Sequence, residues 1–213
     1  MNKSKINKIL NILSDLYPEV HCALEYDNPL QLLVSSRLSA QCTDARVNLV
    51  TPQLFAEYKT FSDYANADVN ELETIIKSCG LYHSKARDII AMGKYLESVG
   101  EIPDTMDGLV KIPGVGRKIA SLILGEVFGN KNVVVADTHC IRLSNRLGLV
   151  DSTNPHIVEK TLLKKLPKDT GLVFSHMLVH HGRTTCKAMS PQCESCALKD
   201  ICEKHIDKGR KSK

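Results

Sequence analysis

The 213-residue chain has no apolar run approaching the length of a membrane span, which excludes a transmembrane helix. It also lacks the apolar region of a signal peptide. Near the N-terminus Ile6, Ile9, Leu10, Ile12, Leu13 and Leu16 are interrupted by Asn7, Lys8, Asn11, Ser14 and Asp15. That pattern is an amphipathic helix, so the chain is expected to stay in the cytoplasm. No credible sheet can be drawn. Val133-Val134-Val135-Ala136 has strand propensity but no partner strand, and reads as an extended connector. Low-complexity segments are missing too. What remains is a globular protein, 43% hydrophobic, able to bury the core of one large domain or two small ones.

A strong net charge is also absent, the formal total being +4. Its distribution is uneven. Residues 1–110 carry 10 basic and 15 acidic side chains, whereas 111–146 carry 6 against 2 and 183–213 carry 8 against 4. A phosphate-contacting face on an otherwise neutral body has this asymmetry, and so does a solvated basic surface with a basic tail of Lys208, Arg210, Lys211 and Lys213.

The most informative stretch present is Lys111-Ile112-Pro113-Gly114-Val115-Gly116-Arg117-Lys118. Pro113 and the two glycines make a tight turn whose backbone N–H groups point outward, because glycine accepts positive φ and allows close approach. Val115, Ile119, Leu122 and Ile123 then recur at helical spacing, so a helix is expected from about Arg117 with Lys118 in its first turn. Cations normally favour the other end of a helix. The positive end of the dipole, with Arg117 adjacent, disfavours an ammonium and favours the free amine that a nucleophile needs. Taken alone, the same residues also describe a solvated lysine after a turn.

Elsewhere the chain reads as helices joined by short connections. Asp27-Asn28-Pro29 starts one, followed by Leu30, Leu33, Val34 and Leu38, and Ser36 to Asp44 forms an exposed junction. Further helices are expected over 48–58 and 69–78, the second closed by Gly80. Ser84 is expected to cap the next helix, broken at Gly100 and Pro103, and 104–110 form a short helix before the glycine turn. Asp137 precedes a helical pattern through Ile141 and Leu147, and the last helices span about 155–166 and 171–181.

Of eight cysteines, Cys22, Cys42, Cys79 and Cys140 are scattered and read as free thiols. Cys186, Cys193, Cys196 and Cys202 crowd into seventeen residues with the spacing C-x6-C-x2-C-x5-C. Four thiolates so close, in a cytosolic setting, point to a metal site rather than disulfides. Ligand chemistry alone leaves structural zinc and an iron–sulfur cluster equally open.

Four segments together carry a family resemblance: Leu38-Ser39-Ala40-Gln41-Cys42-Thr43-Asp44, Ile112-Pro113-Gly114-Val115-Gly116-Arg117-Lys118, Val135-Ala136-Asp137-Thr138-His139 and the four-cysteine spacing. In order and separation they resemble the endonuclease III family of helix-hairpin-helix DNA glycosylases over nearly the whole chain. The resemblance implies a [4Fe–4S] cluster on Cys186, Cys193, Cys196 and Cys202. It implies that Lys118 attacks C1′ of a damaged nucleotide to give a Schiff base, with Asp137 assisting, followed by β-elimination. Asp137 also fits a plain helix cap. Duplex DNA containing a damaged base or an abasic site would be the partner, held at its phosphates by Gly114, Gly116 and Arg117 at a helix N-terminus. The target base has to be flipped out. By resemblance Gln41 fills the vacated space, Leu81 wedges the opposite strand and His83 lies near the lesion, where asparagine is common. Leu81 also fits a hydrophobic contact closing a helix end. The loop between Cys186 and Cys193 carries only Lys187 where the family has several basic residues, so Arg183, Lys199 or Lys204 would have to replace them.

Adenine and mismatch glycosylases of the same superfamily usually lack the hairpin lysine, so Lys118 argues against both. A non-catalytic DNA-binding module has no use for Lys118 with Asp137. The expected protein is therefore a monomeric all-α base-excision-repair enzyme, glycosylase and abasic-site lyase, acting on oxidised pyrimidines and associated with the nucleoid only through DNA. Residues 22–132 form a helical domain with the helix-hairpin-helix motif, and 1–21 with 133–213 form a second one carrying the cluster, the two flanking a DNA-binding cleft.

Overall fold

A computed structural model describes residues 3–203, so Lys204 and the basic tail lie outside the described residues. Every regular element among them is helical. None of these helices is long and apolar enough to cross a membrane. The first is α1 (Lys3–Leu16), the amphipathic helix expected at the N-terminus. Next, α2 (Pro29–Leu38) is capped by Asn28, with proline in its first turn. Helix α3 (Asp44–Glu57) starts four residues earlier than its apolar spacing suggests, because the Thr43 hydroxyl accepts the N–H of Arg46. A short helix that periodicity did not reveal, α4 (Phe61–Ala65), is held by a capping box between Thr60 and Asp63.

Helix α5 (Val69–Ile76) is capped by Asp68 and runs into a 3₁₀ turn, Lys77–Cys79, which Gly80 ends at φ 69°. Helix α6 (Tyr82–Val99) does not wait for a Ser84 cap. It starts from Leu81, and the Ser84 hydroxyl donates back to the Leu81 carbonyl at 3.0 Å. The remaining helices are α7 (Met106–Leu109), α8 (Arg117–Glu126), α9 (Thr138–Arg146), α10 (Pro155–Lys165) and α11 (Gly171–Thr184).

The chain divides into two compact units. One is the continuous block Cys22–Gly129, which holds α2 to α8. There α4 lies tight against α6: a Cβ on Gly93 would stand 2.6 Å from the Ala65 nitrogen, so that contact requires glycine. The other unit joins the N-terminal residues up to His21 with those from Asn130 onward. Lys131 and Asn132 bond to Leu172 and Asp169, which ties them to this second unit. Its core brings Ile9 and Leu13 of α1 together with Leu143, Val158, Leu162, Phe174 and Leu178. Burial of that many apolar side chains, at about 1.5–3 kcal/mol each, is the main force holding four helices together. Val133 to Ala136 run extended and buried through this unit, with the Val135 N–H donating to the Ser175 hydroxyl at 3.0 Å. The run is apolar because it is core, and its backbone finds a side-chain partner instead of a neighbouring strand.

Candidate active site and cysteine loop

The hairpin between α7 and α8 is anchored by two apolar side chains and presents glycine and charge. Ile112 and Val115 are buried, and the Val115 N–H closes the turn onto the Ile112 carbonyl at 3.0 Å. Gly114 sits at φ 76°, where a Cβ would lie 3.0 Å from side-chain carbons of Arg37 and Asp88. Those two form an ion pair, the Arg37 Nε donating to the Asp88 carboxylate at 2.8 Å, and so make the floor beneath the turn. Gly116 begins α8 with no side-chain cap. The first N–H groups of the helix are therefore available to an anion. Arg117 and Lys118 occupy the first turn and are exposed.

In the same unit the structure singles out Gln41 and Leu81. Together with Asp169 they are the non-glycine residues with positive φ among those described, Gln41 at 53° and Leu81 at 48°. Left-handed backbone costs a side-chain-bearing residue about 1–2 kcal/mol. Both side chains are exposed, Leu81 by 53%. Leu81 thus leaves more than half of its surface outside the packing that closes the helix end. His83, the second residue of α6, is exposed and holds its Nδ1 2.7 Å from the Glu73 carboxylate.

Asp137 belongs to the other unit, where it caps α9. Its carboxylate accepts the N–H of Cys140 at 2.7 Å, and its own N–H bonds to the Val135 carbonyl. The carboxylate is half-buried and fixed from both sides. Beneath it the Cys140 thiol is fully buried, and burial pushes its pKa up to about 12.

The cysteine loop is organised by α9 as much as by its own turns. Arg146 donates to the Cys186 sulfur at 3.2 Å and to the carbonyls of Lys187 and Ala188, both at 2.9 Å. Arg142 donates to the carbonyls of Gly182 and Cys186. On the far side His181, 2% exposed, lies with Nε2 3.5 Å from the Cys196 sulfur and Nδ1 2.8 Å from the Tyr17 hydroxyl. Burial, then the neighbouring His180, lowers its pKa to about 4. At neutral pH the ring is uncharged. The tautomer with its proton on Nε2 accepts from the Tyr17 O–H at Nδ1 and donates to the Cys196 sulfur. Burial above all raises the pKa of Cys196; the Leu198 N–H works against it, and the thiols of Cys186, Cys202 and Cys193 add smaller upward shifts. Among the described residues no three His, Cys, Asp or Glu side chains meet as a single-ion site.

Residues 34–168 match the family model described as "HhH-GPD superfamily base excision DNA repair protein". The match spans Gln41, Leu81, the hairpin and Asp137. Over nearly its whole length the chain is similar to curated relatives. It is 44% identical to an endonuclease III of Synechocystis over 202 residues, covering 94% of this chain and 92% of the relative. It is 42% identical to that of Bacillus subtilis over 214 residues, covering 99% and 97%. The chain belongs to the endonuclease III family. A solved structure of a trapped endonuclease III–DNA covalent intermediate superposes with a TM-score of 0.92 at 42% identity, covering 96% of this chain and 97% of that one.

For a member of the endonuclease III family, three groups of residues here had no signal in sequence pattern alone. Arg142 and Arg146 stand four apart on α9, a spacing that also suits a solvated helix face. Glu73 becomes a partner of His83 only through the packing of α5 against α6. Lys85 is fully buried, which composition does not predict for a lysine.

Proposed function

We propose that this DNA glycosylase and abasic-site lyase removes oxidised pyrimidines through a Schiff base on Lys118. The observation that carries the reading is an exposed lysine in the first turn of an uncapped helix, directly behind a glycine hairpin, in an endonuclease III family chain. The hairpin and the α8 N-terminus bind backbone phosphates, which fixes register without reading sequence. The lesion is extruded, Gln41 enters the gap and Leu81 separates the opposite strand. Their exposure and left-handed backbone suit side chains held out in advance of contact.

The amine lone pair of Lys118 then forms a bond to C1′ as the C1′–N glycosidic bond breaks, the departing base taking the electron pair and a proton. Loss of one amine proton, and opening of the sugar as O4′ takes a proton, leave an iminium that keeps one N–H between Nζ and C1′. This acidifies the 2′ proton, and its removal expels the 3′ phosphate by β-elimination. Asp137 supports the chemistry by accepting the amine's proton or by stabilising positive charge on the sugar. Its cap bond to Cys140 holds it oriented through Oδ1 and leaves Oδ2 for that task.

For this, the unit 22–129 and the discontinuous unit of 1–21 with 130–213 would act as two domains, the first supplying Lys118 and the second Asp137. The enzyme works as a monomer in the cytoplasm and reaches the nucleoid through DNA. Cys186, Cys193, Cys196 and Cys202 hold a [4Fe–4S] cluster, which the donor set fits: four grouped thiols with N–H donors of Arg146 and His181 directed at two of the sulfurs. When bound, the cluster ties the loop together as a substitute for core.

The test is a duplex carrying one thymine glycol, assayed for free base and for strand cleavage, with iron and sulfide measured on the same preparation. Release of the base, a β-elimination end and four irons per chain are expected. Cleavage of an abasic duplex without release of thymine glycol would overturn the lesion class. One zinc per chain would overturn the cluster.

A further inference from the structure

A lysine with no exposed surface has to be explained by what its nitrogen does. Lys85 is 0% exposed, and its Nζ donates to the carbonyl of Leu38 at 2.7 Å and to that of Cys79 at 2.9 Å. Leu38 is the last residue of α2, and Cys79 the last of the 3₁₀ turn after α5. Carbonyls at a helix C-terminus lack partners within the helix and carry the negative end of its dipole, so one buried amine terminates two helical segments at once. Three residues beyond Leu38 the chain reaches Gln41, and two beyond Cys79 it reaches Leu81. These are the exposed, left-handed residues described above.

We propose that Lys85 is a positioning residue that couples the two turns presenting Gln41 and Leu81, so that both side chains meet DNA in one fixed arrangement. The proposal rests on the DNA-contact reading of those two residues. Unfavourable backbone angles persist only where the surroundings over-determine them, and here each turn is pinned at its base by the same nitrogen. An apolar side chain would fill the space without burying an amine but would leave two carbonyls unpaired. Burial lowers the pKa of Lys85, yet amine and ammonium each keep at least two N–H donors, so the clamp survives either protonation state. The first turn of α6 closes the arrangement, the Lys85 N–H itself bonding to the Leu81 carbonyl at 3.0 Å.

The experiment compares Lys85→Met, Gln41→Ala, Leu81→Ala and the combined variants on two substrates. One is a thymine glycol duplex, which needs gap filling and strand separation; the other is a single-stranded abasic oligonucleotide, which needs neither. Lys85→Met is expected to lower the ratio of duplex to single-strand rates about 10-fold or more, the scale on which misplaced contact residues act. Adding Gln41→Ala and Leu81→Ala to it should lower that ratio little further, because the clamp and its clients act as one unit. Equal losses on both substrates, or fully additive losses, would refute the clamp and leave Lys85 an ordinary stabilising residue. If Gln41→Ala and Leu81→Ala themselves leave the ratio unchanged, the DNA-contact reading falls and the clamp with it. Should Lys85→Met not fold, Lys85→Gln, one bond shorter but still a donor, is put through the same comparison.

Discussion

Helix α8 starts at Gly116 with no side chain over its first N–H groups, whereas α9 starts at Asp137, whose carboxylate takes the N–H of Cys140. Local stability does not explain the difference. Aspartate is the better N-cap, by a few tenths of a kcal/mol over glycine. A side-chain cap at Gly116 would also fit, since a Cβ there meets nothing within 4 Å and the φ of −90° is open to any residue. An uncapped start with Arg117 and Lys118 in its first turn repels cations and invites an external anion. A capped start instead immobilises a carboxylate. The two helices use the same electrostatic property, one with its first N–H groups left open to an anion, the other to hold a carboxylate still.

The comparison breaks most visibly at Lys118. Lys118→Ala should reduce base release and strand cleavage by roughly 10³-fold or more, as expected on removing a nucleophile, while DNA binding persists; single-turnover kinetics and a binding titration measure the two separately. At α9 the charge and the cap can be separated. Asp137→Asn keeps a good capping residue and should lose activity by about 10²–10⁴-fold with little change in thermal midpoint. Asp137→Ala should lose the same activity and a further ~1 kcal/mol of stability in denaturant titration.

Gly116→Asp gives α8 the kind of start that α9 has. The protein should gain a few tenths of a kcal/mol in stability and bind undamaged duplex about tenfold more weakly, because a carboxylate then occupies the phosphate's place. Unchanged affinity would mean that α8 does not bind phosphate. The smallest effect concerns the Cys140 thiol beneath the Asp137 cap. With its pKa near 12 it stays protonated at pH 8 and at pH 10, so iodoacetamide followed by mass spectrometry should find it unlabelled until the protein unfolds.

Features set by adjacent residues were readable from the sequence. The hairpin, the start of α8, the Asp137 cap and the grouping of four cysteines each depend on side chains within a few positions. Boundaries set by capping were read less well: Thr43 starts α3 earlier than its apolar pattern does, and the left-handed Leu81 starts α6 ahead of Ser84. Contacts across the fold were not readable at all. Lys85 finds Leu38 across 47 positions, and Arg146 finds Cys186 across 40, because packed helices bring them together. Backbone strain at Gln41 was equally hidden. Its identity came from resemblance, its conformation only from the structure.

The central claim is that one amine, on the uncapped helix, forms the covalent intermediate. Borohydride reduction during turnover on a thymine glycol duplex, followed by proteolysis and mass spectrometry of the adduct, tests it directly. The account predicts a single deoxyribose remnant on Lys118 and no adduct from Lys118→Ala. A remnant on the N-terminal amine or on another lysine, or an undiminished adduct from Lys118→Ala, would contradict it.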